Sequence, residues 1–294
     1  MHAMIWEDLK VLLAVARQHS HAGAARVLRV DASTVGRRIA SLERSLGSRL
    51  FDRKPEGLAP TTAGALLLLR AERVEAEVLA AERELEGNDE RLSGSVRLSA
   101  SDGVVNYVLM PSLVEFSRAH PGLDLVVRAE SRVLDLSRRE ADVALRLSRP
   151  KESTLVARRL GTLRFGLYAG RSYLERVTAP RSLASLAGHT FIGFDTDLED
   201  VPTFRWLKKQ VPGLRLGLRT NTTVTQVRAC IAGHGIALLP RFVSPSEPGL
   251  VELLPRLAGP TREAWAVTHR DLRRSPRVSL LIDWLTQTMA LALA

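Results

Sequence analysis

Apolar residues recur along this chain in two periods. Up to about Asn88 they return every three or four positions, as on one buried stripe of an α-helix. Leu9, Leu12, Leu13 and Ala16 mark an amphipathic helix over Trp6 to Gln18. Ala22 to Leu28 reads as a shorter helix, rich in small residues that allow a close helix–helix approach. Arg29-Val30 is a tight connection, and Asp31 is placed as an N-cap whose carboxylate can accept from first-turn N–H groups. Val35, Ile39, Leu42 and Leu46 then share one stripe of a third helix, while Ser33, Thr34, Arg37 and Arg38 lie on its opposite face. Two helices joined by three or four residues, the second offering hydroxyls and guanidiniums at its start, describe a helix-turn-helix. The bland alternative is a helical core with solvated arginines.

Beyond Leu50 and Phe51, which can pack back on the helices, Arg53 to Gly57 reads as a turn between two short strands. That is a wing, with Arg53 and Lys54 placed to meet phosphates or a minor groove. A charged surface turn is the alternative. Thr61 or Thr62 can cap the next helix. Along it Leu67, Ala71, Val74, Val78, Ala81 and Leu85 alternate spacings of four and three, a seam suited to pairing with another helix. Leu67, Val74, Val78 and Leu85 are therefore the expected dimerisation contacts, which would set two reading helices on one two-fold DNA site. A helix lying on its own domain is the competing reading.

At Leu92-Ser93-Gly94-Ser95 the period changes. Strand-like runs follow at Ser95–Ala100, Leu123–Glu130, Asp142–Leu147, Leu163–Ala169, Thr190–Phe194, Arg215–Thr220, Gly235–Pro240 and Ala264–His269. Helical runs between them are Met110–His120, Val133–Arg139, Val201–Gln210 and Val224–Ala232, with a last helix from Pro276 to Ala294. Such alternation predicts mainly parallel sheets covered by helices, in two α/β lobes with a ligand cleft between them. The expected domains are thus 1–61, 62–92 and 93–294.

Composition changes this picture little. The net charge is +10. Residues 1–61 hold 10 Lys and Arg against 6 Asp and Glu, whereas residues 93–294 hold 28 against 18. The basic excess therefore favours polyanions in general without locating their site. No apolar run reaches membrane-spanning length and the start lacks a signal-peptide pattern, so the expectation is a cytoplasmic protein with no membrane partner. Hydrolase, P-loop, zinc-protease and dinucleotide motifs are absent, and His19 and His21 have no further ligands beside them. The reading is no enzyme, no metal and no cofactor. Cys230, the single cysteine, sits in an apolar helical run and reads as structural rather than as a redox thiol.

Four motifs bear on kinship. S-x-x-x-A-A-x-x-L over Ser20 to Leu28 is followed by T-V-x-R-R-I-x-x-L-E over Thr34 to Glu43, L-G-x-R-L-F-x-R over Leu46 to Arg53, and T-x-A-G over Thr61 to Gly64. Farther on come Met110-Pro111, His120-Pro121-Gly122 and Ala232-Gly233-His234-Gly235-Ile236-Ala237-Leu238-Leu239-Pro240. Over essentially its whole length the chain resembles the LysR-type transcriptional regulators. The resemblance implies an α/β protein with an N-terminal winged helix-turn-helix, a long linker helix and a two-lobed, periplasmic-binding-protein-like effector domain. It implies a homodimer or homotetramer, double-stranded promoter DNA and a small-molecule effector as partners, and RNA polymerase as a further candidate. Lobe crossings near Thr162 and Val267 follow, with lobe I at 93–162 plus 268–294 and lobe II at 163–267.

Carried over residue by residue, Arg37 becomes the direct DNA contact, with Ser33 and Thr34 at the base-reading first turn. The chain departs from the family in three places. It has Ala32-Ser33 where Gln-Pro is common, Gly36 where a serine is common, and Ala22 where a capping threonine is usual, leaving Ser20 to cap. In the effector domain Ser101 and Asp102 should stand at the cleft beside a helix N-terminus, and Asn221, Thr222 and Thr223 likewise in the second lobe. Hydroxyls and helix N–H groups suit a carboxylate effector, with Arg146 as counter-charge, although Asp102 could cap its own helix and repel an anion. Two readings compete: a non-specific architectural DNA-binding protein, and a solute-binding module with a degenerate DNA reader.

Overall fold

A computed structural model describes residues 4–87, 92–130, 136 and 141–293. Apart from Leu136, the expected helix Val133–Arg139 lies outside the described residues. The chain divides into two compact units, residues 1–82 and 83–294. Among the described residues no helix is long and apolar enough to cross a membrane.

The first unit contains α1 (Trp6–Gln18), α2 (His21–Leu28), α3 (Ala32–Leu46), β1 (Phe51–Lys54), β2 (Gly57–Pro60) and the start of α4 (Thr62–Gly87). Leu12, Val15, Ala24, Val35, Ile39, Leu42 and Leu50 form its core. Ser20 caps α2, its hydroxyl accepting from the Gly23 N–H at 3.0 Å. Asp31 stands at the N-cap of α3, but its carboxylate makes no capping bond; the Asp31 carbonyl accepts from the Thr34 and Val35 N–H groups instead. The expected stripe ends at Leu42, because α3 runs past the core and Leu46 is exposed. Glu43 is held inward. Its carboxylate accepts from the Leu50 N–H at 2.7 Å and the Phe51 N–H at 3.4 Å, fixing the entry to the wing.

The wing is narrower than expected. Lys54 pairs with Gly57, so the turn is Pro55-Glu56 alone and Arg53 and Lys54 belong to β1. Thr61 rather than Thr62 caps α4, accepting from the Gly64 N–H at 3.0 Å while donating to the Arg49 carbonyl at 2.7 Å. The expected α4 seam needs correction over its N-terminal half. Ala71 is fully buried and Leu67 packs against this unit's own core, and Arg17 donates to Glu75 at 3.0 Å. Val78 is half-buried and Val74 is exposed; the side chain of Leu85 lies outside the described residues. Leu66 and Leu69, on another face, are also exposed.

The second unit runs β3 (Gly94–Ala100), α5 (Asp102–Val104), a π turn at Val105–Leu109, α6 (Met110–Ala119), β4 (Leu123–Ala129), β5 (Val143–Arg146), β6 (Leu155–Gly170) and α7 (Arg171–Leu174). There follow β7 (Thr190–Phe194), α8 (Pro202–Gln210), β8 (Arg215–Thr220), α9 (Thr223–Ile231), β9 (Ile236–Pro240), β10 (Leu250–Leu253), β11 (Thr261–His269) and α10 (Pro276–Leu293). The strand order is β4-β3-β5-β11-β6-β9-β7-β8, with β10 on β6. Each lobe has the expected parallel heart, β4-β3-β5 in one and β9-β7-β8 in the other. The strands joining them are antiparallel. Leu155–Arg164 of β6 pairs with β11 in the first lobe, and Phe165–Ala169 pairs with β9 in the second.

The outward crossing therefore falls at Arg164-Phe165, close to the expected Thr162. The return crossing differs from expectation: all of β11 pairs with β5 or β6 of the first lobe, which puts the crossing before Thr261 rather than near Val267. Gly259 shows why it can pass there, since a Cβ at this position would lie 2.0 Å from the Phe165 carbonyl oxygen. Only glycine allows the two crossing strands that approach. The first-lobe core joins Val96, Leu98, Leu109 and Leu145 to Leu281, Leu285 and Met289 of α10, so the last helix closes the lobe in which the sheet began.

Candidate DNA-reading face and ligand cleft

On α3 the side chains of Ser33, Arg37 and Arg38 are exposed and Thr34 is half-buried, while Val35 and Ile39 anchor the helix from below. Arg37 makes no ion pair among the described residues. Arg38 stands on the α1 side, where it adds a minor pull to Glu7, whose carboxyl is held below the usual carboxylate range chiefly by its bond to Lys10. Arg53 and Lys54 are exposed on β1. All six residues thus lie on the surface of one unit, on the helix-turn-helix and its wing. The wing is tied to the helices by His19, a residue with no assigned role in the sequence. At φ 51° it ends α1, and its carbonyl accepts from the Leu58 N–H at 2.8 Å.

Between the two lobes of the second unit lie two adjoining chambers. The outer, about 540 Å³, is bordered by Ser101, Glu130, Arg146, Arg149, Lys151 and Arg262 among others. The inner, about 110 Å³, is mostly apolar, with Leu163, Phe165, Phe194 and Phe242, and also meets Ser101, Asp102, Thr223 and Arg262. The structure thus brings Ser101, Asp102, Arg146 and Thr223 to the cleft. Asn221 and Thr222 border neither chamber. Thr222 is the N-cap of α9 and accepts from the Thr225 N–H at 3.2 Å.

Asp102 behaves differently from both readings of it. Its carboxylate reaches across the cleft and accepts from the Val224 N–H at 2.8 Å. It therefore caps the helix of the opposite lobe and occupies the N–H end that an anion would have used. Gly103 lets the lobes meet there, since a Cβ would lie 2.9 Å from the Thr223 side chain. A second tie also joins the lobes. The Tyr107 hydroxyl donates to Glu247 at 2.9 Å, and Arg228 pairs with the same carboxylate at 3.1 Å. Burial, then the Glu247 carboxylate, pushes the Tyr107 phenol up to about 12.

Cys230 is fully buried in α9, with its Sγ 3.3 Å from the Tyr168 carbonyl oxygen. Burial pushes its thiol up to about 12, so the thiolate is scarce at neutral pH. Native protein at pH 8 should leave a thiol-reactive dye unreacted while denatured protein takes up one equivalent; rapid labelling of the native chain would contradict this. Among the described residues no group of three or more His, Cys, Asp or Glu is placed to hold a metal. Arg262, Phe194 and Phe242 are not singled out by the sequence: Arg262 reaches the cleft where β11 crosses between lobes, and Phe194 and Phe242 reach it at or just beyond the ends of β7 and β9.

Two family models match the chain. A bacterial regulatory helix-turn-helix model of the lysR family covers residues 6–65, and a LysR substrate binding domain model covers residues 89–290. The chain is 31% identical to the Mau operon transcriptional activator of Paracoccus denitrificans, over 99% of each chain. It is similar to the solved structure of CrgA, a LysR-type transcriptional regulator from Neisseria meningitidis, with 28% identity, a TM-score of 0.61 and coverage of 98% and 99% of the two chains. The full-length virulence activator AphB of Vibrio cholerae shares the fold at 24% identity, with a TM-score of 0.63 and coverage of 97% and 99%.

Proposed function

This chain belongs to the lysR family of bacterial transcriptional regulators, and from that premise we propose that Ser33, Thr34, Arg37 and Arg38 read promoter DNA while Arg53 and Lys54 of the wing hold its backbone. The observation that carries this is the exposure of Arg37 on a helix whose opposite stripe is locked into the core. Family membership over both units favours the regulator over an architectural DNA binder or a solute-binding module, and its members are regulators rather than enzymes.

The protein works in the cytoplasm as a homodimer or homotetramer, with RNA polymerase as a candidate contact on the promoter. The exposed Val74, with Leu66 and Leu69 on another face, gives α4 apolar surface for a second copy, in place of the Leu67 and Ala71 positions already used within the unit. A small-molecule effector enters the interlobe chambers at Ser101, Asp102, Arg146 and Thr223. Its binding alters the Asp102 and Tyr107 ties, and so the relation of the lobes.

The test is a selection of genomic fragments bound by the full chain, followed by anisotropy on the recovered site and on scrambled DNA at two salt concentrations. Discrimination of about a thousandfold or more at physiological salt is expected. Equal binding to all fragments with a steep salt slope would leave only a general polyanion binder.

A further inference from the structure

Arg262 opens β11 where the chain crosses back into the first lobe, and its side chain borders both chambers. Its Nε donates to the Leu147 carbonyl at 3.0 Å, which fixes the guanidinium plane at the junction between them. Its two Nη groups have no carboxylate or carbonyl partner among the described residues. Burial pushes its pKa below the ordinary arginine value. A partly desolvated cation with no counter-charge is costly unless something supplies one.

Two further observations say what supplies it. The rival anion site, the N-terminus of α9, is already filled by the Asp102 carboxylate, which would repel a second one placed beside it. Beyond Arg262 the inner chamber is walled by Leu163, Phe165, Phe194 and Phe242. At about 110 Å³ it is somewhat smaller than the roughly 150 Å³ apolar cavity that holds benzene.

We propose that Arg262 is the anion anchor of the cleft, taking the carboxylate of a small monoanion whose apolar body enters the inner chamber. The two Nη groups match a carboxylate's two oxygens, the geometry that makes arginine–carboxylate pairs strong and selective. Ser101, which borders both chambers, supplies a hydroxyl near the same junction. A carboxylate carried on the end of the ligand that enters the inner chamber is disfavoured, since it would meet apolar walls and the field of Asp102. The inference rests on the interlobe cleft being the effector site.

The test uses the full chain with isovalerate and benzoate as probes, beside their neutral amides, read by calorimetric titration and thermal shift. At least one monocarboxylate should bind and raise the melting temperature, with its amide about tenfold weaker or worse. Arg262→Gln keeps a donor for the Leu147 carbonyl and should lose at least about tenfold in affinity for that acid, whereas Arg262→Lys should recover part of it. Unchanged ligand-free melting temperatures would show that both variants fold. Failure of both acids to bind, equal binding of acid and amide, or wild-type affinity in Arg262→Gln would each overturn the anchor. Val201 borders both chambers, so amides that bind the wild type but not Val201→Trp would keep the cleft as effector site while removing Arg262 from its role.

Discussion

Arg37→Ala is expected to abolish site-specific DNA binding while leaving the protein folded. The side chain is exposed, and its neighbours Val35 and Ile39 hold α3 in place without it. Its loss therefore removes a contact rather than a support. A guanidinium on a base edge contributes about 1–3 kcal/mol of discrimination. On a two-fold site the loss is doubled, a drop of roughly thirtyfold to twenty-thousandfold in affinity. Phosphate contacts from Arg53 and Lys54 would persist, so binding to scrambled DNA should fall far less. Anisotropy titrations of wild type and variant on the selected site and on scrambled DNA measure the two losses separately. Equal losses on both would reduce Arg37 to a phosphate contact, and no loss would take it out of the interface.

Gly64→Ala should be the most damaging small substitution in the first unit. Gly64 lies in the first turn of α4, and a Cβ there would stand 2.0 Å from the Leu50 carbonyl oxygen. That oxygen cannot retreat. It accepts from the Thr61 N–H at 2.9 Å, and the Leu50 N–H is itself held by Glu43 at 2.7 Å. The methyl group would have to push the start of α4 off the core, breaking the Thr61 cap and uncovering Ala71. Overpacking against fixed backbone costs about 3 kcal/mol or more, which for a unit of this size lowers Tm by about 12 °C or more. Gly36→Ala is the contrast. It lies mid-helix with the His21 ring 3.4 Å away as its nearest neighbour, and alanine is the better helix former. Calorimetry of the full chain should show a much lower first transition for Gly64→Ala and one held or raised for Gly36→Ala. An unshifted transition in Gly64→Ala would mean that α4 can move without cost.

These two glycines also show what could be read from the chain in advance. Both fall within recognisable motifs, but spacing alone says only that Gly64 follows a capping threonine. That its hydrogen faces the Leu50 carbonyl emerges from how the wing entry folds against α4. The helices of the first unit were legible because each buries one stripe, and burial at a period of three and four leaves its mark within a dozen residues. Where a helix runs past its core the same rule overreached, as at Leu46. On α4 the seam was real but its partner was ambiguous, because Leu67 and Ala71 look alike whether they meet a second copy or their own domain.

In the second unit the short parallel strands were legible from their apolar runs. The first half of β6, with Arg158 and Arg159 along it, was not, since Leu160 is its only buried position before Leu163 and no continuous apolar run marks it. The cleft divides along the same line. Ser101, Asp102 and Thr223 follow strand ends or open helices, which local pattern marks, and they reach the chambers. Arg262 lies just ahead of the run that marked its strand and becomes a cleft residue only because β11 crosses between lobes.

The class of the protein is legible in the chain alone: a reading helix with a wing, a long helix after it, and two α/β lobes. Local periodicity and turn chemistry act over a few residues and are written directly in the order of side chains. Packing alone makes Asp102 cap the helix of the opposite lobe, sets Gly64 and Gly259 against carbonyls of other segments, and stands Arg262 at the junction of the chambers. Those contacts join residues far apart in the chain. Their partners are chosen by which surfaces the packed core brings together, and no period in the sequence records that choice.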